Sequence, residues 1–167
     1  MEVSQKLNVE AKEFFDALAS SVAYDITQAT GEKVNPDQIY SGFRYHKKMK
    51  NKMGQESHVD VVIKQFVAPS CYEVNFRSSQ GTNVIFYEIQ DSKDGNIVVH
   101  YKERFEGENT SNSLNYKLVS WLYQKGSKKR ISRMLSSMES FIRAKAAGQG
   151  DMPAEPFDDC PRETKEN

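Results

Sequence analysis

The opening residues alternate between apolar and polar side chains. Within residues 1–8 the apolar side chains share one parity, namely Met1, Val3 and Leu7. Alternation of this kind predicts a strand with one buried face. Gln5 is the one polar residue on the apolar side of that strand.

The spacing between successive apolar residues then changes from two positions to three or four. The next apolar residues recur as on one face of a helix: Ala11, Phe14, Phe15, Leu18, Val22, Ile26 and Ala29. Asn8 is expected to cap this helix and Gly31 to end it. The small residues at positions 19–21 would allow a break into two shorter helices.

From residue 38 to residue 106 the pattern predicts one strand after another. The expected strands are 39–47, 58–67, 71–78, 83–90 and 96–105. The connections are short and rich in Gly, Ser, Asn and Pro, which indicates an antiparallel meander. Strand 83–90 is apolar on both parities, which would suit a central strand covered on both faces.

A second amphipathic helix is expected near the C-terminus. Its apolar residues are Ile131, Met134, Leu135, Met138, Phe141 and Ile142, and Gly148 would end it. Residues 114–123 fit either a helix or a strand. A helix is favoured there, with Gly126 as a break before the long helix.

Composition and charge narrow the class of protein. Hydrophobic residues make up 38% of the 167 residues, which is enough for a core, and no apolar run approaches a membrane span. The 23 basic and 23 acidic residues balance, but residues 148–167 carry six acids against two bases. That segment also holds three of the five prolines, so we expect a disordered acidic tail after a single domain of residues 1–147. The two cysteines lack metal or redox spacing and no secretory signal is apparent, so a cytoplasmic location is expected.

The order of strand, helical segment, five-stranded meander and long helix resembles the helix-grip superfamily. That superfamily includes START lipid-transfer domains, birch-pollen-allergen-like proteins and polyketide cyclases. The segments that carry the resemblance are NVEAKEFFDALAS, YSGFRY, VAPSCYEVNF and NIVVHYKERFEG. The chain is similar in particular to small uncharacterised bacterial members, over residues 1–146. The resemblance implies an α+β fold: a curved antiparallel sheet of about six strands around a long C-terminal helix, with short helices after the first strand.

The resemblance also implies a cavity between the sheet and the C-terminal helix that holds a small apolar or amphipathic molecule. The candidate lining residues are Tyr45, Gln65, Tyr72, Tyr101, Glu103, Met134 and Met138. Aromatic walls with a few polar tips can orient such a ligand. The same periodicity also fits a solidly packed interior whose tyrosine hydroxyls reach the rim. Glu103 would point inward or, near the end of its strand, reach water.

Other chemistry has little support in the pattern. The three histidines, His46, His58 and His100, lie on the polar parity of their strands without metal-ligand spacing, so no metal or cofactor is expected. We find no catalytic signature, and a binding function is favoured over an enzyme. A protein-interaction module of the chaperone-ATPase-activator type is the alternative.

Two basic clusters allow a third function, which is weak binding of an anionic partner. The candidates are Lys47, Lys48, Lys128, Lys129 and Arg130. Solvated surface charge is the favoured explanation of these residues, and nucleic acid is the least favoured partner.

Overall fold

The computed structural model describes residues 1–50, 56–79, 81–92, 94–107 and 114–148, and for 49–50, 56–57 and 114–126 it describes the backbone alone. The six strands are β1 (Glu2–Leu7), β2 (Arg44–Lys50), β3 (Glu56–Val67), β4 (Cys71–Ser78), β5 (Gly81–Asp91) and β6 (Ile97–Gly107). The helices are α1 (Ala11–Thr30), a short 3-10 turn (Pro36–Gln38) and α2 (Leu114–Ala146). The expected tail of residues 148–167 lies outside the described residues beyond position 148.

The six strands form one antiparallel sheet in the order β1-β6-β5-β4-β3-β2. Strands β2 to β6 pair with their neighbours in the sequence, and β1 returns to pair with β6. This arrangement confirms the predicted α+β class and the antiparallel meander. The connections are short because each strand reverses directly into the next.

Both helices pack on the same face of the sheet, here called the inner face. The apolar parity of each strand meets the apolar stripes of α1 and α2 in one core, which includes Phe14, Ile26, Val61, Ile63, Val74, Ile85, Val99, Ile131 and Leu135. The opposite face is here called the outer face. No helix or strand in the described ranges packs over it. Strand β5 is therefore buried on one face, whereas the pattern had suggested cover on both. Its outer residues Val84 and Phe86 are half-buried.

Helix α1 is continuous, and the predicted break at positions 19–21 is wrong. Ala19 is buried in the core, and the Ser20 hydroxyl donates to the carbonyl of Asp16 within the helix. Gly31 ends the helix as predicted, with φ of 77° and its N–H donating to the carbonyl of Thr27.

The cap of α1 is Glu10, whereas the sequence had suggested Asn8. The Glu13 carboxylate accepts a hydrogen bond from the Glu10 N–H at 3.1 Å, which is half of a capping box. Asn8 instead donates its backbone N–H to the Glu139 carboxylate of α2 at 2.7 Å.

Strand β2 begins at Arg44, five residues later than the pattern predicts. The preceding residues form a turn in which the Phe43 N–H donates to the carbonyl of Tyr40, and the Gly42 N–H donates to the carbonyl of Ile63 on β3. Gly42 has φ of 102°, which interrupts the ladder, while Ile39 remains buried. The hydrophobic pattern continues through this segment because Ile39 and Phe43 pack on the core although they precede the regular ladder of β2.

Strand β3 contains a β-bulge between Ile63 and Gln65. Ile63 and Phe66 both face the core, and the two residues between them, Lys64 and Gln65, are both exposed. The bulge therefore ends the simple alternation that had assigned Gln65 to the inner face.

Helix α2 runs through Gly126 without the predicted break. It ends near Gly148 as predicted, where φ is 76° and the N–H donates to the carbonyl of Lys145. Residues 114–123 are helical, which confirms the favoured alternative. A single glycine costs a helix only about 1 kcal/mol, which neighbouring turns can offset.

Candidate functional site

Two of the predicted lining residues, Tyr72 and Tyr101, belong to a line of aromatic rings across the inner face. Tyr72 and Tyr87 have ring centroids 6.1 Å apart, and Tyr87 and Tyr101 have centroids 5.0 Å apart. All three rings are buried, and Tyr45 is buried in the same core. Aromatic packing of this kind stabilises the sheet itself. The middle of the inner face is thus packed with tyrosine rings.

A polar cluster lies beside this line, towards the end of β6. The Glu103 carboxylate accepts a hydrogen bond from Nδ2 of Asn83 at 3.1 Å and a long one from the Tyr101 hydroxyl at 3.4 Å. These three residues are called the Glu103 cluster. Among the described residues, the Oδ1 atom of Asn83 is buried and has no hydrogen-bond partner. The cluster therefore holds one acceptor whose capacity the protein does not use.

A second polar cluster connects α1 to β2. The Tyr45 hydroxyl donates to Asp25 at 2.6 Å, and the Lys47 ammonium lies 3.1 Å from the same carboxylate. Burial, and then the charge of Asp25, raise the pKa of Tyr45 well above its usual range. These three residues are called the Asp25 cluster.

Phe76 lies between the two clusters. It pairs across the sheet with Asn83 on one side and with Val61 on the other. The Lys47 ammonium lies 5.3 Å from the centroid of its ring, a cation–π distance. Phe105, the partner of Asn83 on β6, is 55% exposed. This end of the inner face thus combines aromatic surface with polar groups.

The other end of the inner face is closed by the C-terminal half of α2. Gln5 donates to the Ser136 hydroxyl at 2.8 Å, which explains the one polar residue on the apolar parity of β1. The Gln5–Ser136 and Asn8–Glu139 contacts follow the same order on both elements, so β1 and α2 run in the same direction. Since the start of β1 pairs with the Glu103 end of β6, the earlier turns of α2 extend towards the Glu103 cluster.

The remaining predicted lining residues have three different environments. Met138 is fully buried in the core, and Met134 is half-buried against it. Gln65 is exposed on the outer face, where its Oε1 accepts a hydrogen bond from the Cys71 thiol. Burial raises the pKa of that thiol. The structure thus brings Tyr101 and Glu103 together and separates Gln65 from them.

The predicted anion-binding residues lie on two elements, β2 and α2. Lys47 is only 15% exposed and is paired with Asp25, so its charge is already compensated. Lys48, Lys128 and Lys129 are exposed, and Arg130 is half-buried.

Histidine and metal chemistry gain no support within the described ranges. His46 bonds to Asp60 at 2.6 Å and His100 to the Ser4 hydroxyl at 2.8 Å, while His58 is exposed. No group of three His, Cys, Asp or Glu side chains there could hold a metal ion. None of the helices in those ranges is both long enough and apolar enough to span a bilayer.

Sequence reasoning missed Asn83, Asp25 and Phe76 as members of this site. Asn83 shares the parity of Ile85 and Tyr87, so a polar residue on the apolar side of β5 was the available signal. Asp25 sits beside the apolar stripe of α1, and nothing in the pattern connects it to β2.

Comparison with known proteins agrees with this architecture. Residues 1–124 match the model of a family described as "Domain of unknown function (DUF3284)". No curated protein matches the sequence.

Several solved structures have a fold similar to that of this chain, although their sequences have low identity with it. Ara h 8.0201, a helix-grip protein of the birch-pollen-allergen type, gives a TM-score of 0.57 at 10% identity over 86% of this chain and 97% of its own. A protein of unknown function from Staphylococcus aureus, SA2116, gives 0.60 at 14% identity over 88% and 96%. The protein TTHA0849 from Thermus thermophilus gives 0.58 at 8% identity over 87% and 98%. These similarities confirm the helix-grip fold.

Proposed function

This chain belongs to the DUF3284 family and has the helix-grip fold, and from that premise we propose that it binds a small amphipathic molecule on the inner face of its sheet. The polar group of the ligand would bind the Glu103 cluster. Its apolar part would lie against Phe76 and Phe105, between the sheet and the earlier turns of α2.

The unpaired Oδ1 atom of Asn83 is the observation that carries this proposal. A buried carbonyl without a donor costs about 1–3 kcal/mol, and such groups are uncommon in folded proteins. A ligand that displaces the atoms covering this oxygen and donates a hydrogen bond to it would remove that penalty. The same residue uses its Nδ2 to hold Glu103, so the orientation of the amide is fixed.

The chemistry of the cluster favours a ligand whose polar group is a hydrogen-bond donor. The free positions on Asn83 and Glu103 are oxygen acceptors. A hydroxyl or an amine satisfies them, whereas a carboxylate would face the negative charge of Glu103 and offer no proton. Partly exposed aromatic surface at Phe105 suits the apolar remainder.

The packing also limits where the ligand can lie. Ile131, Leu135 and Met138 are fully buried, so the C-terminal half of α2 is seated on the core. Sequence reasoning had expected a cavity between the sheet and the C-terminal helix, with Met134 and Met138 in its lining. The proposal moves it towards the Glu103 end, where the polar side chains and the exposed Phe105 ring are found.

Three ligands of equal chain length test the proposal: 1-dodecanol, dodecylamine and dodecanoate. We expect native mass spectrometry to show one bound molecule of the alcohol or the amine. Each should also displace the fluorescent probe N-phenyl-1-naphthylamine at lower concentration than dodecanoate does. Failure of all three to bind would contradict the proposal, and preferential binding of dodecanoate would contradict the assigned polar group.

A matched pair of variants locates the site. Asn83→Leu removes the unpaired carbonyl and should weaken binding of the favoured ligand by about tenfold, the equivalent of one lost hydrogen bond. Asn75→Leu is the control, because Asn75 also has a buried, unpaired Oδ1 but lies on the outer face. Thermal unfolding of both variants checks that each is folded. Equal weakening in the two variants would place the ligand elsewhere.

A further inference from the structure

We propose that the outer face of the sheet carries a second binding site, for a small phosphorylated molecule that also bears hydroxyl groups. A groove of about 430 Å³ crosses strands β2 to β6 on this face. Its lining includes Arg44, Lys64, Arg77, Asn75, Thr82 and Glu106. The volume suits a small organic molecule.

Sheet register explains why these residues meet. Arg44 pairs with Val62, which pairs in turn with Asn75, so these three side chains form one row on the outer face. Arg77 and its partner Thr82 belong to the next row. Lys64 joins them because it follows the inward-facing Ile63 and is exposed on this side.

The charges of the groove are unbalanced. Within the described part of the chain, no carboxylate lies within ion-pair distance of Arg44, Lys64 or Arg77. Asp60 is the cross-strand partner of Arg77, but its carboxylate bonds to His46 at 2.6 Å. The remaining acid of the groove, Glu106, pairs with Arg104 at 2.8 Å. The groove is therefore lined by three cationic side chains, and the carboxylate of its lining residue Glu106 is already paired with Arg104.

The arrangement of donors fits a phosphoryl group. Guanidinium groups bind phosphate oxygens through paired hydrogen bonds, and a lysine adds a point charge. The Thr82 hydroxyl is a further donor within the groove.

Asn75 accounts for the hydroxyl groups of the ligand. Asn75 lines the groove, and no described residue donates a hydrogen bond to its buried Oδ1 atom, so a ligand hydroxyl that displaces the atoms covering it would supply the missing donor. The dianionic phosphoryl group of a monoester offers no such donor at neutral pH, whereas a sugar or polyol hydroxyl does. Together the groups predict that an organic phosphate binds more tightly than inorganic phosphate.

Titration calorimetry at low salt with glucose 6-phosphate, inorganic phosphate and glucose tests this site. We expect saturable binding of glucose 6-phosphate to one site, weaker binding of inorganic phosphate and no binding of glucose. Equal affinity for the two phosphates would contradict the role of Asn75.

Substitutions that each remove one positive charge distinguish a specific binding site from nonspecific attraction by surface charge. Arg44→Gln and Arg77→Gln should each weaken glucose 6-phosphate binding about tenfold, as for a lost charge-assisted hydrogen bond. Lys102→Gln is the control, because Lys102 is exposed on the same face, loses the same charge and does not line the groove. Equal effects of all three substitutions would overturn the proposal.

A vesicle-binding experiment distinguishes a phosphoryl group on a lipid headgroup from one on a free metabolite. Vesicles of phosphatidylcholine with a minor fraction of phosphatidylglycerol offer the same chemistry as a lipid headgroup. Sedimentation with these vesicles that is lost in Arg44→Gln but not in Lys102→Gln would assign the site to a lipid headgroup. Glucose 6-phosphate binding alone would assign it to a free metabolite, and binding to neither would overturn the proposal. The site is independent of the inner-face ligand, whose binding should be unchanged in Arg44→Gln.

Discussion

Polar side chains on the inner face are held by partners from other elements. Gln5 of β1 binds Ser136 of α2, and Tyr45 of β2 binds Asp25 of α1. Such partners are separated by 131 and 20 residues in the sequence. Alternation identifies the face to which a residue belongs, but it carries no information about a partner on a distant element. For this reason Glu103 could be singled out from the sequence, but its pairing with Asn83 could not.

Tyr45 should make the stability of the protein sensitive to alkaline pH. Its pKa is raised in the folded state by burial and by Asp25, whereas tyrosines in the unfolded chain ionise near pH 10. Below about pH 10 both states keep the proton, and above it the unfolded state binds fewer protons, so the free energy of unfolding falls as pH rises.

We therefore expect the wild type to lose about 1.4 kcal/mol more stability than Tyr45→Phe per pH unit above pH 10. At neutral pH the variant should be less stable by about 1 kcal/mol, because the hydrogen bond to Asp25 is lost. Urea unfolding between pH 7 and 11 measures both effects. Parallel pH profiles would show that Tyr45 ionises normally in the folded protein.

Gly81 is required by the close approach of β6. A Cβ atom at this position would lie 2.8 Å from the Cα of Gly107 and closer still to the carbonyl oxygen of Glu106, both backbone atoms that cannot easily move. Gly95 also has a positive φ, of 74°, but a Cβ there would meet no atom within 4 Å.

We expect Gly81→Ala to lower the free energy of unfolding by about 3 kcal/mol or more, through steric overlap added to backbone strain. Gly95→Ala should cost about 1 kcal/mol, from strain alone. Chemical denaturation of the two variants makes the comparison. Similar losses in both would mean that β6 moves away at little cost.

At the scale of elements, the capping of α1 can be tested directly. Glu13→Ala removes the carboxylate that accepts the Glu10 N–H and should cost about 1 kcal/mol. Asn8→Ala is the matched control, since Asn8 was the expected cap but uses only its backbone N–H, in the bond to Glu139. Thermal unfolding should therefore show a lower midpoint for Glu13→Ala than for Asn8→Ala. A larger effect of Asn8→Ala would restore the original assignment.

The elements themselves were largely predictable, and their irregularities were not. Apolar residues recur every two positions in the six strands and every three or four positions in the two helices, because each element buries one face. This spacing identifies the elements from the sequence. The late start of β2 at Arg44 and the bulge between Ile63 and Gln65 depend on which strand lies alongside, and the pattern of a single strand does not contain that information. Gly126 stays helical because its neighbours in α2 outweigh the propensity of one residue.

The candidate site was predictable in part for the same physical reason. Tyr45, Tyr72 and Tyr101 were placed correctly on the inner face, but the pattern could not show that their rings pack against one another. The outer-face groove was not predicted, because Arg44, Lys64 and Arg77 lie on three different strands. Only the register of the sheet shows that these three charged side chains lie close together.

At the scale of the whole molecule, the described core ends at Ile142. The residues after 148 are acidic and rich in proline, and the sequence predicts that they add nothing to this core. We expect a chain that ends at Gly148 to unfold with the same midpoint and the same cooperativity as the full chain. Calorimetry compares the two, and a lower midpoint for the shorter chain would show that the acidic segment packs on the domain.

The two proposed sites lie back to back on the same strands. Asn83 faces the inner site and its neighbour Thr82 the outer groove, while Phe76 and Arg77 divide in the same way on β4. Alternation along a strand thus allows one sheet to carry two binding surfaces of different chemistry, apolar on one side and cationic on the other.

The bulge in β3 has a consequence for how chains of this fold can differ in length. Ile63 and Phe66 face the core on either side of it, so removing Gln65 would leave a regular strand with Ile63, Lys64 and Phe66 in alternation. One residue can therefore be gained or lost at this point without reversing the rest of the strand. An alignment of related chains should place a single-residue gap here, and the residue present or absent would change the outer surface beside the groove while the core kept its composition.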